Sequence, residues 1–306
     1  MVRRPDSAWS AGNAPCSDEE GPERARPDPL AFEWASAELP PTWPDPLRWW
    51  RPRDFLRLLR PVLGWRSPVE LPAGLPGRER IPRYLQQEFH GLPSGYYSRR
   101  FTRGYARCFD TTMLDTLRRG RERIAHTLRS ATSALDLGSG DGKLAAALVR
   151  HGVPDVWALD PSPYLLQIGA QAHSRVRFVH GVAERLPFAD GRFDAIGVSF
   201  LFHELPPRYA DEAIRECARA LRPGGRLVLC EPSPEQLAPR SFWRMVQQHG
   251  WRGLYFWSLS HLVFEPFIAG WHERRYDEWL ATAGLTLVAD EIVFPLRFFV
   301  CAKPGA

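Results

Sequence analysis

Apolar and polar positions change rhythm twice along this chain. Up to residue 45, Pro, Ser, Glu and Arg dominate, aliphatic residues are sparse, and neither a helical nor a strand period can be followed. A segment with so little apolar surface to bury stays unfolded, so 1–45 is expected to be a disordered, Pro-rich tail. Residues 1–80 hold 14 of the 29 prolines, which limits regular structure there to short helices. One is expected over Pro52–Leu63, where Phe55, Leu56, Leu58, Leu59 and Leu63 recur in a partly helical pattern. With Trp43, Trp49, Trp50 and Trp65 nearby, this arm needs a partner surface and is expected to pack on the rest of the chain. A helical rhythm then takes over. Ile81–Phe89 is predicted as a helix stopped by Gly91 and Pro93, and Phe101–Leu128 as largely helical, with Phe109, Met113, Leu117, Ile124 and Leu128 available for one face. Residues 46–130 therefore form a Trp- and Arg-rich arm with a helical cover, and 131–306 a separate domain.

From Ala134 strand and helix patterns alternate, which predicts an α/β domain with a doubly wound sheet. Strands are predicted at 134–137, 156–160, 176–180, 193–199 and 226–231, and helices at 142–151, 163–173 and 207–221. Arg222-Pro223-Gly224-Gly225 stops the last of these helices sharply. The chain closes with two apolar runs, Thr286–Val293 and Leu296–Ala302, separated by Pro295 and close enough to form a hairpin.

The first strand ends in chemistry. Ala134–Leu137 runs into Gly138, Gly140 and Gly142 at alternate positions, and a helical pattern begins at once. Glycine lets the chain turn sharply and lets a ligand approach the backbone. The helix start then presents unpaired N–H groups. Asp160 ends the next strand, where a carboxylate accepts hydrogen bonds from both hydroxyls of a ribose. Such a unit holds an adenosine. The spacing is G-x-G-x-G rather than the dinucleotide fingerprint G-x-G-x-x-G, and Asp136 precedes the first glycine by two places. A carboxylate there repels a pyrophosphate and suits a ligand carrying an ammonium and a sulfonium. A nicotinamide oxidoreductase is disfavoured on both counts.

The run D-L-G-S-G-D-G resembles motif I of the class I S-adenosylmethionine methyltransferases, of the small-molecule, quinone-methyltransferase-like kind. Three further runs carry the resemblance: F-V-H-G-V-A-E-R-L-P-F from Phe178, R-F-D-A-I-G-V-S-F-L-F-H from Arg192, and A-L-R-P-G-G-R-L from Ala220. Together they span roughly Arg123–Lys303. The resemblance implies a Rossmann-like seven-stranded sheet whose final strand lies antiparallel beside the fifth. It also implies a helical N-terminal cover and an aromatic-rich insertion, 232–272, before the last helix. S-adenosylmethionine is the implied cofactor. Asp136 would receive its ammonium, Gly138, Ser139 and Gly140 its methionine and ribose, and Asp160 the ribose hydroxyls. Pro161 and Leu186 would flank the adenine, and Ser199 closes the set. Val182 stands where relatives commonly carry Asp, so adenine recognition would pass to the backbone of Ala183 and to Glu184.

Methyl transfer is an in-line displacement that requires no metal; the protein aligns a nucleophile and excludes water. A base is needed only if the nucleophile keeps its proton. His203, after the fourth strand, is the first candidate, with capping or loop orientation as its competing role. Tyr96, Tyr97 and Tyr105 of the cover are candidates for cofactor or substrate contact, with His90 and Arg99 behind them. Ser241–Trp271 is dense in aromatics. Core packing ranks first for it, a lid over an apolar or aromatic small-molecule substrate second, and peripheral membrane contact third. The alternative to an active enzyme is a catalytically weak protein that keeps the cofactor pocket.

Composition narrows the partners. Lys143 and Lys303 are the only lysines among 40 basic residues, a bias that a GC-rich genome explains more simply than nucleic-acid binding, and no nucleic-acid partner is expected. Five scattered cysteines without a C-x-x-C pair suggest neither zinc nor disulfides and fit a reducing cytoplasm. The N-terminus shows no targeting pattern, and no apolar run is long enough to span a bilayer.

Overall fold

A computed structural model describes residues 32–305 except 49, 61–64, 66, 238–241 and 264. Its strands are β1 (Ser133–Leu137), β2 (Asp155–Asp160), β3 (Arg177–His180), β4 (Phe193–Ser199), β5 (Leu221–Pro232), β6 (Thr286–Val293) and β7 (Leu296–Ala302). They form one seven-stranded sheet in the order β3-β2-β1-β4-β5-β7-β6. The first five pair in parallel; β7 lies antiparallel beside β5 and forms the closing hairpin with β6. This is the class I methyltransferase architecture that the strand pattern and the resemblance lead one to expect. β1 is buried at all five positions, as befits a central strand covered on both faces.

The helices are α1 (Pro52–Leu59), α2 (Arg99–Thr112), α3 (Thr116–Thr127), α4 (Lys143–Arg150), α5 (Pro163–Ala172), α6 (Pro207–Ala220), α7 (Phe242–Leu262), α8 (Ile268–His272) and α9 (Tyr276–Thr282). The period of two along the strands divides the core. Leu135 and Leu137 join Ile196, Phe202, Ile214, Trp271, Trp279 and Phe299 on one face. Ala134 joins Ile124, Leu128, Leu144, Leu148, Phe256 and Phe298 on the other. Each fully buried large aliphatic or aromatic side chain stabilises the fold by about 1.5–3 kcal/mol. Among the described residues, no helix is long and apolar enough to cross a membrane.

The N-terminal part departs from expectation. Residues 1–31 of the expected tail lie outside the described residues, but 32–45 are packed rather than disordered. Trp34 is 3% exposed, and side chains of α5 satisfy the extended backbone. Tyr164 Oη donates to the Pro40 carbonyl at 2.6 Å and Gln171 Nε2 to that of Ala35 at 3.0 Å. Asp45 accepts from Ser98 Oγ at 2.6 Å and caps the start of α2. These partners lie more than fifty residues away in sequence, beyond the reach of local composition.

Ile81–Phe89 is not an α-helix. It forms two short 3-10 turns, Arg83–Leu85 and Phe89–Gly91. Its backbone is engaged elsewhere: the Gln86 carbonyl accepts from Val69 N–H, and the Gln86 side chain donates to the Ile81 carbonyl. The long helix expected to Leu128 breaks between α2 and α3, where Leu114 and Asp115 adopt positive φ of 48° and 60°. The helix expected over Pro52–Leu63 ends at Leu59, and residues 61–64 lie outside the described set.

Candidate functional site

The carboxyl ends of β1, β2, β4 and β5 meet under the cover, where open α/β sheets place their ligands. The turn after β1 is fastened to β2 by the N–H groups of Gly138 and Ser139, which donate to the Leu159 carbonyl at 2.9 and 3.0 Å. Gly138 has φ 68°, and a Cβ there would come within 2.9 Å of the Leu201 side chain. Gly140 also has positive φ, but a Cβ there would stand in open space. That space belongs to a narrow cavity of about 110 Å³ lined by Asp136, Gly138, Ser139, Gly140, Asp160, Pro161 and Ser199. The seven residues expected from this part of the sequence are thus brought to one place.

Asp160 accepts the N–H of Gly140 and of Ser162, each at 2.8 Å. Burial nevertheless dominates and pushes its carboxyl up to about 7. Asp136 behaves alike: burial raises it to about 7, although it accepts the Ala145 N–H of α4 at 2.8 Å and faces Arg121. Ser139 Oγ is buried without a hydrogen-bond partner among the described residues. An orphaned hydroxyl, an open glycine face and two desolvated carboxylates fit a ligand that is cationic at one end and hydroxylated at the other. Arg121 and Lys143 line the same cavity. Arg121 gives no signal in so arginine-rich a sequence.

Of the residues expected at the adenine, Pro161 lines this cavity. Ala183, Glu184 and Leu186 do not line this cavity. Ala183 and Leu186 belong to the core beneath the sheet edge. The Glu184 carboxylate accepts the Tyr84 hydroxyl at 3.0 Å. The cover supplies Leu85 and Tyr97 beside Pro161 instead. Val182 is buried against that cover, in a cluster with Leu39, Leu75, Leu85, Phe89 and Tyr97. An Asp there would be stranded in apolar surroundings, which accounts for the departure from the common pattern.

A second cavity of about 550 Å³ adjoins the first. Phe101, Tyr105 and Phe109 of α2, Met113 just after it, and Leu259, Val263 and Ile268 of the insertion wall it, with His90, Gln236 and Glu265 as polar points. Its outer edge is a single face of α2, where Arg100, Gly104, Cys108 and Thr112 recur every fourth residue and are exposed. Tyr105, Phe109 and Phe200 line both cavities. The insertion does flank this space, but with aliphatic and polar side chains rather than aromatic ones. Its described aromatics go elsewhere: Phe256 and Trp271 are buried in the core, and Trp243 and Trp251 are exposed.

A charged cluster stands at the junction. His90 donates toward Glu265 at 3.3 Å and Glu204 at 3.5 Å from Nε2, while its Nδ1 meets the Tyr96 hydroxyl at 2.7 Å. Burial alone would lower His90, but the bond to Glu265 and the two carboxylate charges raise it. Burial would raise Glu265, but His90 and His203 hold it below the usual carboxylate range. Burial raises Glu204 despite the same two imidazoles, so Glu204 is the carboxyl of the cluster with heightened proton affinity. His203 is fully buried, lines neither cavity, and binds Glu231 through Nδ1 at 2.5 Å. Burial would lower it, yet the charge and hydrogen bond of Glu231 push it up to about 9. A buried imidazole that lines neither cavity and is held by Glu231 favours its competing role, orientation of the loop, over that of a base. Its geometry is that of a positioning residue for the loop after β4, whose N–H groups at Leu201 and Phe202 also bind Glu231. Glu231, next to last in β5, lies at the ligand edge of the sheet, a placement by which a strand-end acid could have been picked out. Glu265 carried no such signal.

The comparisons agree with this geometry. A family model described as a methyltransferase domain matches residues 135–229. A demethylmenaquinone methyltransferase of Paenarthrobacter aurescens is 36% identical over 197 residues, covering 58% of this chain and 72% of that protein. One of Beutenbergia cavernae is 39% identical over 141 residues, covering 44% of this chain and 57% of that protein. An uncharacterized methyltransferase of Mycobacterium tuberculosis is 43% identical over 100 residues, covering 33% of this chain and 40% of that protein. The chain thus spans only about half the length of the last two relatives.

Proposed function

Because the chain belongs to the class I S-adenosylmethionine-dependent methyltransferases, we propose that it transfers a methyl group from that cofactor to an apolar, ring-bearing small molecule held in the larger cavity. The observation that carries the proposal is the shared wall: the polar cavity and the apolar one meet at Tyr105, Phe109 and Phe200. Tyr105, Phe109 and Phe200 would then stand between the cofactor's methyl group and the acceptor.

Bound S-adenosylmethionine supplies a methyl carbon made electrophilic by its sulfonium. Asp160 accepts the ribose hydroxyls, Asp136 faces the ammonium, and Arg121 and Lys143 are the cations available to the carboxylate. Gly140 and Ser139 give the close backbone approach and a hydroxyl contact. The aromatic walls exclude water and orient a planar acceptor. Glu265, ionised and on the acceptor wall, accepts a hydrogen bond or a proton from an acceptor hydroxyl, and His90 shares that charge with Glu204. Two of the relatives are named for demethylmenaquinone, and a planar apolar ring of that kind suits these walls.

Label transfer from methyl-labelled S-adenosylmethionine tests this. Label is expected in planar hydroxylated aromatics and not in aliphatic alcohols or amines. Gly104→Phe, whose side chain would enter open space at the acceptor edge, is expected to raise the acceptor KM roughly tenfold and leave cofactor affinity unchanged. Absence of label in every ring compound, or equal label in the aliphatic ones, would sink the proposal.

A further inference from the structure

The arm before the cover lines neither cavity, and its helix carries an exposed apolar ridge. No residue of α1 is buried. Pro52, Phe55, Leu56 and Leu59 recur at helical spacing on one face, with Phe55 47% and Leu56 63% exposed. Arg53, Arg57 and Arg60 run along its flank. Asp54 is the only acid of the helix, and its carboxylate accepts the Arg48 N–H at 2.9 Å. Trp65, 67% exposed, follows the helix.

We propose that α1, with Arg60 and Trp65, forms a docking surface for a membrane rich in anionic phospholipid. A convex apolar ridge flanked by arginines is the form of a helix that lies in the plane of a lipid interface. Arginine stems can reach outward to headgroups while Phe55, Leu56 and Trp65 enter the acyl boundary. The same segment offers a place for a headgroup. Arg57 and Arg60 line a cavity of about 230 Å³ together with Trp43 and Trp65. Arg57 also lies over the Trp43 ring at 4.4 Å, which sets its guanidinium. Glu70 and Glu88 complete the walls, and Glu88 is engaged by the N–H groups of Ser67 and Ser94. A second copy of the chain is a poorer occupant, because a symmetric contact would bring arginines against arginines. The arm is tied to the acceptor side of the molecule: Arg100, on the edge of the larger cavity, donates to the Leu47 carbonyl at 3.0 Å. Lipid docking needs neither cofactor nor acceptor, so it stands or falls separately from the proposed reaction.

Co-sedimentation of the full chain with vesicles tests it, comparing phosphatidylcholine alone with phosphatidylcholine carrying about one third phosphatidylglycerol. Partition is expected to be roughly tenfold or more stronger on the anionic vesicles and to weaken in high salt. Two independent double variants, Phe55→Ser with Leu56→Ser and Arg57→Glu with Arg60→Glu, are each expected to lower it roughly tenfold, with unchanged circular dichroism. Equal partition on both vesicle types, or anionic partition untouched by both variant pairs, would overturn the proposal. So would a dimer in solution that dissociates on Phe55→Ser with Leu56→Ser while vesicles are ignored; that result would assign the face to a second copy.

Discussion

The residue that changes most between sequence and structure is His203. Its position after β4 suggested a base, yet it sits beneath both cavities against Glu231. Proximity in sequence to the catalytic edge does not tell which way an imidazole points. Its titration has a consequence for stability. The folded value is raised to about 9 from the ordinary 6.5, so the folded state binds that proton more tightly than the unfolded chain. The resulting stabilisation is fully present below about 6.5 and is lost as pH rises through about 9. Denaturant unfolding between pH 6.5 and 9.5 is therefore expected to show falling stability, with a flatter profile in His203→Gln. An unchanged slope in the variant would show that another group controls this range. Asp160 and Gly140 were the opposite case. Spacing alone predicted that they meet, because the turn between a strand end and a helix start is local and stereotyped, and the Gly140 N–H does donate to Asp160.

At the scale of elements, legibility followed locality. β1, β4, α5, α6 and the β6–β7 hairpin lie within a residue or two of the expected bounds, since each has a clean period and a clear stop. Ile81–Phe89 and 32–45 were misjudged because distant partners satisfy their backbone: Val69 for the first, α5 for the second. The expected adenine edge also depends on distant partners. Ala183 and Glu184 were inferred from the segment after β3 alone, while the cover that closes this edge with Leu85 and Tyr97 comes from residues about a hundred positions earlier. Val182→Asp puts that packing to the test. A carboxylate buried in the apolar cluster would cost about 3 kcal/mol. A lowered Tm and faster proteolysis within residues 67–97 are expected; an unaltered protease pattern would mean that the cover does not depend on this contact.

For the whole molecule, the parallel strands set the cofactor edge, and α2 with the insertion adds a second space against it. The first was legible because glycine spacing and a distant carboxylate carry it. The second was only outlined. The aromatic density of Ser241–Trp271 singled out a segment that flanks this space, but the rings lining it come from α2 and from Phe200. The central claim is that the edge at Gly138, Gly140 and Asp160 holds the adenosyl cofactor, and calorimetric titration of the full chain with S-adenosylhomocysteine tests it most directly. Saturable one-to-one binding is expected in the micromolar range. Asp160→Ala is expected to weaken it about a hundredfold, since two hydrogen bonds to a charged group contribute about 3 kcal/mol. No binding at millimolar ligand, or binding undiminished in Asp160→Ala, would contradict that assignment.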